Sequence, residues 1–193
     1  MTDVVATGYR PHLLGIDDGP FDKRSDSRVP IVGVMMEGAD LVEAVAVGEF
    51  ELDGEDVTGF LADWIDGLRF RPALHGVVLG GVTIAGLAVV EPLPLAERLG
   101  LPVMIVNRQQ PQDEALTRAL EAAGLAERIA ALEALPPAWR LAEGLYVAHA
   151  GAERAEVERL LGAALRKSQL PEPLRLAHLI AAALARGESR GRP

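Results

Sequence analysis

His12-Leu13-Leu14-Gly15-Ile16-Asp17-Asp18-Gly19-Pro20, residues 12–20, is a short apolar run that ends on two acids and a Gly-Pro pair. A run of this length bounded by turn residues reads as a buried strand over His12 to Asp17, and Asp17-Asp18-Gly19-Pro20 then forces a turn. Two more extended stretches follow, after a polar loop from Phe21 to Arg28 that carries Lys23, Arg24 and Arg28. Pro30 to Glu37 is the second strand, Gly38-Ala39-Asp40 a hairpin turn, and Leu41 to Phe50 alternates Val42, Ala44 and Ala46 against Val45 and Val47. Three strands joined by short links predict an antiparallel meander.

The hydrophobic period then changes. Val57, Phe60, Leu61, Trp64, Ile65 and Leu68 recur at helical spacing, behind an acidic start, Asp53-Gly54-Glu55-Asp56, that suits a helix N-terminus. Gly76 to Leu79 is a fourth, buried strand running into the glycine-rich Gly80–Gly86 turn. Leu93 to Leu99 reads as a helix stopped by Gly100, and Pro102 to Val106 as a fifth strand; strands alternating with helices argue for parallel pairing. Asp113 to Ala123 and Leu125 to Leu135 are helical, Leu145 to Ala148 is a last edge strand, and helices over Ala155–Lys167 and Leu174–Arg186 finish the chain. The order β-β-β-α-β-α-β predicts an α/β fold: a mixed sheet of three antiparallel strands followed by parallel ones, flanked by helices. With no repeat or linker, residues 1–193 are expected to form a single domain ending in a basic tail, 187–193.

The 193 residues suffice for a core without disulfides. No cysteine is present, which excludes a disulfide framework and any thiolate metal site. His12, His75, His149 and His178 show no paired ligand spacing, so a bound metal would take oxygen ligands, as Mg²⁺ or Mn²⁺ does. The N-terminus lacks a signal-peptide pattern and no apolar run approaches the roughly 20 residues that cross a bilayer, so a cytoplasmic protein without a membrane partner is expected. The net charge of −9 opposes nonspecific binding to nucleic acid, unless acids gather on metal and arginines form a separate rim. Only Lys23 and Lys167 are lysines; the remaining cations are guanidinium groups, the better bidentate phosphate ligands.

Several residues carry two readings. Asp17 and Asp18 are either turn residues or carboxylates placed at a strand end to hold metals for phosphoryl transfer. Among Asp53, Glu55 and Asp56, one acid caps the helix; the others repel unless a cation sits between them. Gly80–Gly86 either packs closely or offers its backbone N–H groups to phosphate, although its spacing fits neither a P-loop nor a dinucleotide fingerprint. Glu91 precedes Pro92 at a helix start, as a cap neighbour or as a further metal ligand or base. His178 lies in an Arg175–His178–Arg186 stripe that is either solvated surface or a phosphate contact. The apolar last helix either buries both faces internally or pairs with a second copy as a homodimer.

Taken together, Leu14-Gly15-Ile16-Asp17-Asp18-Gly19, Leu52-Asp53-Gly54-Glu55-Asp56-Val57-Thr58, Gly81-Val82-Thr83-Ile84-Ala85-Gly86, Leu101-Pro102-Val103 and Glu172-Pro173-Leu174-Arg175-Leu176-Ala177-His178 resemble the blocks of the endonuclease dU family, relatives of endonuclease V. The tail, Gly187-Glu188-Ser189-Arg190-Gly191-Arg192, is similar to that family's ending. The resemblance implies an RNase H-like fold and Mg²⁺-dependent (or Mn²⁺-dependent) cleavage of DNA near a deaminated base, deoxyuridine in particular. It implies Asp17 as the first-strand metal ligand, one of Asp53 and Asp56 as the acid opening the first helix, and His178 as the late catalytic histidine. Glu91 is the candidate for the further carboxylate, so Asp17, Asp53, Asp56 and Glu91 make up the expected metal-ligand set. Gly81, Thr83, Gly86, Arg175 and Arg190 are the candidate substrate contacts. Two features depart from the endonuclease V pattern. Gly80 stands where an Asp precedes the strand-ending glycine, and the Pro-Tyr-Ile-Pro wedge is missing. An inactive nucleic-acid-binding or interaction module of the same fold, and a nuclease for inosine-containing DNA or RNA, are therefore the alternatives.

Overall fold

The computed structural model describes residues 8–111, 113–166 and 168–189. Arg190 and the rest of the tail lie outside the described residues. The described strands are β1 (His12–Asp18), β2 (Arg28–Glu37), β3 (Leu41–Glu51), β4 (Gly76–Leu79), β5 (Thr83–Ile84), β6 (Ala88–Val89), β7 (Val103–Asn107), β8 (Trp139–Ala142) and β9 (Leu145–Ala150). The helices are α1 (Val57–Asp66), α2 (Pro92–Leu99), α3 (Asp113–Ala122), α4 (Ile129–Glu133), α5 (Arg154–Ala164) and α6 (Glu172–Arg186).

Seven strands form one sheet in the order β3-β2-β1-β4-β7-β9-β8, while β5 and β6 make a separate small hairpin. β1, β2 and β3 are the antiparallel meander. β4 joins β1 in parallel and β7 joins β4 in parallel, so these three strands end at the same side of the sheet. Such carboxyl ends, where connecting loops gather, are where open α/β sheets bind ligands.

Alternation along β1 assigns its two faces. Leu14 and Ile16 pack with Leu61, Ile65, Leu95 and Leu99 of α1 and α2. Leu13 points the other way, into the cluster of Leu160 and Leu161 of α5 and Leu174 of α6. A strand covered on both faces reads as a continuous apolar run, which is why residues 12–16 show no polar alternation. Ala177 and Ala181 of α6 lie against Val32, Val34 and Met36 of β2. Helix α6 therefore crosses the middle of the sheet at close range.

Gly15 makes that crossing fit. A Cβ built there would stand 2.2 Å from the Leu174 backbone nitrogen and 2.3 Å from the Pro173 carbonyl carbon. Backbone packs on backbone at this point, with no room for a methyl group.

Three sequence expectations need correction. β1 runs through Asp18, which pairs with Ile31, so Asp17 and Asp18 are strand residues and the turn begins after them. Leu145–Ala148 is not an edge: β9 is flanked by β7, and the edge is β8, whose Trp139-Arg140-Leu141-Ala142 follows Pro136-Pro137 and alternates too briefly to announce itself. Gly80–Gly86 is more than a turn, since Thr83 and Ile84 pair with Val89 and Ala88.

Overpacking a tight core position typically costs 1–3 kcal/mol. Because the obstruction at Gly15 is backbone, Gly15→Ala should lower stability by about 3 kcal/mol, read as a fall in urea midpoint. An unchanged midpoint would show that α6 is not seated on β1 as described.

Candidate active site

The shared end of β1, β4 and β7 opens into a cleft of about 550 Å³ whose lining includes Asp17, Asp18, Gly80, Asn107, Arg108 and His178. Asp17 follows Ile16 on the α6 side of β1. One turn past Leu174, His178 reaches it: His178 Nδ1 lies 2.7 Å from Asp17 Oδ2. That hydrogen bond raises the histidine's pKa above its ordinary value, against burial and the nearby Arg108.

Asp18 faces the opposite side of the strand. Its Oδ2 accepts a hydrogen bond from the Ala85 backbone N–H at 2.7 Å. Burial, then the charge on Asp17, push its carboxyl up to about 6, and the Ala85 contact only partly offsets them. Ala85 is itself in the left-handed region at φ 51° and fully buried, as is typical of backbone strained at a functional site.

The Ala85 loop is braced from behind by Asp53. The Asp53 N–H donates to the Ala85 carbonyl at 2.8 Å, and Asp53 Oδ1 accepts from the Leu87 N–H at 2.7 Å. Arg128 donates to the carbonyls of both Asp53 and Leu87, clamping the two segments together. Gly86 has to be glycine here, since a Cβ would stand 2.2 Å from Asp53 Oδ1.

The cleft also carries cations. Arg108 and Arg186 line it, and neither takes part in an ion pair among the described residues. Two free guanidinium groups beside two carboxylates suit a phosphate brought next to a cation.

With this geometry in place, the comparison with known proteins is direct. The family model for endonuclease dU matches residues 10–185. This chain belongs to that family.

Among its relatives is a UPF0215 protein of Methanothermobacter thermautotrophicus, 35% identical over 184 residues that cover 93% of this chain and 90% of that protein. A UPF0215 protein of Deinococcus radiodurans is 36% identical over 192 residues, covering 93% and 92%. A crystal structure of a protein of unknown function from Archaeoglobus fulgidus superposes with a TM-score of 0.78 at 32% identity, over 91% of this chain and 98% of that one. Endonuclease V of Streptomyces avermitilis superposes at TM-score 0.56 and 19% identity, covering 90% and 80%. Endonuclease V of Ciona intestinalis, solved with a 24mer DNA containing an inosine, does so at 0.54 and 13%, covering 87% and 82%. The fold of this endonuclease dU relative is thus the RNase H-like fold of endonuclease V, as its sequence order implies. Family and fold together support a nuclease.

The candidate residues divide. Asp17 and His178 meet in the cleft. Asp53 stands behind it, holding the loop that holds Asp18. Asp56 and Glu91 do not reach it. Asp56, at φ 49°, caps α1 by accepting from the Gly59 N–H at 2.9 Å, and Glu91 sits at the start of α2. Both line a separate groove of about 210 Å³ beside Arg128. The acids of 53–56 need no shared cation, because Asp53 and Asp56 each take a backbone N–H. Gly81, Thr83 and Gly86 are not among the cleft's lining residues, and Arg175 is committed to Glu172 at 2.6 Å. The sequence reading weighed Asp18 beside Asp17 but did not carry it into the ligand set, and it missed Asn107 and Arg108. The position of the last two, directly after an apolar parallel strand, was the available signal.

A tight grouping of metal-ligand atoms, all within 4.8 Å, occurs at the other end of the meander in His12, Glu37 and Glu43. His12 Nε2 pairs with Glu43 at 2.7 Å and Arg10 pairs with Glu37 at 2.9 Å. This group lies about 16 Å along β1 from Asp17, taking 3.3 Å per strand residue.

A carboxyl whose folded pKa is raised favours the folded state at low pH, and that contribution is lost as pH rises through the folded value. For Asp18 the window runs from about 3.8 to about 6. In metal-free protein Asp18→Asn should therefore be more stable than the parent at pH 7.5, by on the order of 1–3 kcal/mol, and no more stable than the parent at pH 3.5. Equal melting at both pH values would remove the charge conflict from the site.

Proposed function

We propose that this chain is a metal-dependent endonuclease that cleaves a phosphodiester beside a deaminated base in DNA, deoxyuridine in particular. The Asp17–His178 pair, set at the mouth of a cleft with two free arginines, carries the reading.

The residues fit a hard divalent cation. Asp17 engages His178 through Oδ2 and Asp18 engages Ala85 through Oδ2, and each carboxylate has a second oxygen to offer a cation. Burial first, and then the charge on Asp17, raise the Asp18 carboxyl, and a cation between the two carboxylates relieves the repulsion. Space exists for it, because the missing side chain of Gly80 would have pointed at Asp17 Oδ1, 3.0 Å from its Cβ position. Asp17 and Asp18 would hold Mg²⁺ or Mn²⁺, which, when bound, offsets charge developing on the phosphate.

The chain's own groups do the rest. Asp17 fixes the imidazole through Nδ1, leaving Nε2 for substrate. A water molecule attacks phosphorus and loses a proton to solvent as the bond to the departing oxygen breaks. His178, as imidazolium favoured by the raised pKa, can give that oxygen its proton. Arg108 and Arg186 receive the non-bridging phosphate oxygens. Asp53 and Arg128 keep Asp18 in place through the 85–87 loop.

Gly80 favours a second reading, a binding module of the same fold that has lost activity, because a carboxylate is missing beside Asp17. The assay separates the two. Labelled oligonucleotides carrying deoxyuridine, inosine or no lesion are incubated with Mg²⁺, Mn²⁺ or EDTA. Nicking should require metal, be confined to a lesion strand, and fall at least about 100-fold in Asp17→Ala while its melting temperature stays near the parent's. Nicking of the inosine strand alone would reassign the base. No nicking with either metal would favour the binding module.

A further inference from the structure

At the end of the meander away from the cleft, three metal-ligating side chains from three strands converge. His12 opens β1 and pairs directly with Glu37, the last residue of β2. Alternation puts both on the face that sends Leu14, Ile16 and Met35 into the core. Glu43 of β3 joins them through a β-bulge. The β2–β3 register steps from Met35 opposite Ala44 to Met36 opposite Val42, and Glu43 is the extra residue between them. A bulge re-aims the side chain it carries. Here it brings Glu43 Oε2 to 2.7 Å from His12 Nε2, with a Glu37 oxygen inside the same 4.8 Å group.

The three donors are held from behind. The His12 N–H donates to His75 Nδ1 at 3.1 Å, the His75 N–H donates to the His12 carbonyl at 2.9 Å, and the two rings stack with centroids 5.5 Å apart. Arg10 Nε lies 2.9 Å from Glu37 Oε1, which anchors that carboxylate while its second oxygen can turn to an ion. Supports of this kind, set behind the ligands, orient metal sites generally. The side chains of His12, Glu37 and Glu43 are 25%, 29% and 32% exposed, sheltered yet reachable from solvent. With a neutral imidazole, two carboxylates against one guanidinium leave a negative charge that a divalent cation takes up.

The geometry points to a second metal site here, in which His12 Nε2, Glu37 and Glu43 bind a transition ion of the zinc kind and tie the ends of β1, β2 and β3 together. The inference is independent of the nuclease reading. One imidazole with two carboxylates suits Zn²⁺, whereas Mg²⁺ takes oxygen ligands and keeps its waters. Three protein ligands leave a fourth position for water. Affinity at such donors rises from Mn²⁺ toward Zn²⁺, which leaves Mn²⁺ to the carboxylates of the cleft. The two ends of β1 thus sort cations by chemistry: oxygen donors at Asp17 and Asp18, and a nitrogen donor with two carboxylates at His12. The ligands come from positions 12, 37 and 43, so no local spacing announces them; strand register and one bulge assemble them.

The test titrates Zn²⁺ into the full chain carrying Asp17→Asn, in excess Mg²⁺, so that the cleft does not compete. Calorimetry reads affinity and stoichiometry, and ¹⁵N spectra of the imidazole rings read which histidine takes the ion. One equivalent should bind, moving the His12 ring nitrogens while those of His149 and His178 stay in place. Losing an outer partner of a metal site costs about 10–100-fold in affinity, so losing a ligand should cost at least about 100-fold. That loss is expected in His12→Ala and in Glu43→Gln. The second variant keeps the shape of an exposed side chain, and so answers the question if the first fails to fold by circular dichroism. Absence of zinc binding, binding that moves His149 or His178 and leaves His12 unmoved, or unchanged affinity in Glu43→Gln would each overturn the site and leave the cluster as two ion pairs.

Discussion

The close approach of α6 to β1 at Gly15 is the constraint from which the site follows. With backbone against backbone, the helix axis is fixed over the sheet centre, and helical geometry then places His178 one turn beyond Leu174. That is the height of Asp17, two residues beyond Gly15 on the same side of β1. A methyl group at residue 15 would lift the helix and carry the imidazole off its partner. The apolar contacts of Ala177 and Ala181, small side chains on β2, keep the helix low along the rest of the crossing.

On the other side of β1 the site is held by hydrogen bonds in place of packing. Asp18, Ala85, Asp53, Leu87 and Arg128 form a chain of backbone and side-chain contacts with two residues in the left-handed region, Asp53 and Ala85. Each costs conformational energy on the order of 1 kcal/mol or more, and persists because its neighbours are fixed. The net charge of −9 is compatible with a phosphate ligand because cations are gathered where they are needed. Among the described residues Arg108 and Arg186 take part in no ion pair, whereas Arg10, Arg71, Arg98 and Arg154 are occupied by acids elsewhere.

Much of this was legible in the residues. The switch from alternation in 41–50 to a 3.6-residue period in 57–68 separates the meander from the helical half, and His12–Asp17 announces a buried strand ending in acid. The pairing of Asp17 with His178 was not derivable, since 161 residues separate them and only the glycine contact brings them together. Asp56 and Glu91 misled for a physical reason: a carboxylate opening a helix is equally a ligand and a cap, and spacing alone does not tell them apart. Asp18 was weighed beside Asp17 but left out of the ligand set because the Gly-Pro after it suggested a turn, while the ladder to Ile31 keeps it in the strand.

The central claim is that the cation site lies at the end of β1, on Asp17 and Asp18. Titrating Mn²⁺ into ¹⁵N-labelled protein tests it directly, because the paramagnetic ion broadens amide resonances around its seat. The account predicts selective loss of signals at Asp17, Asp18, Gly80, Asn107 and His178, at metal concentrations that leave the rest of the spectrum sharp. Broadening centred instead on Asp56 and Glu91, or on His12, Glu37 and Glu43, with Asp17 and His178 untouched, would contradict it.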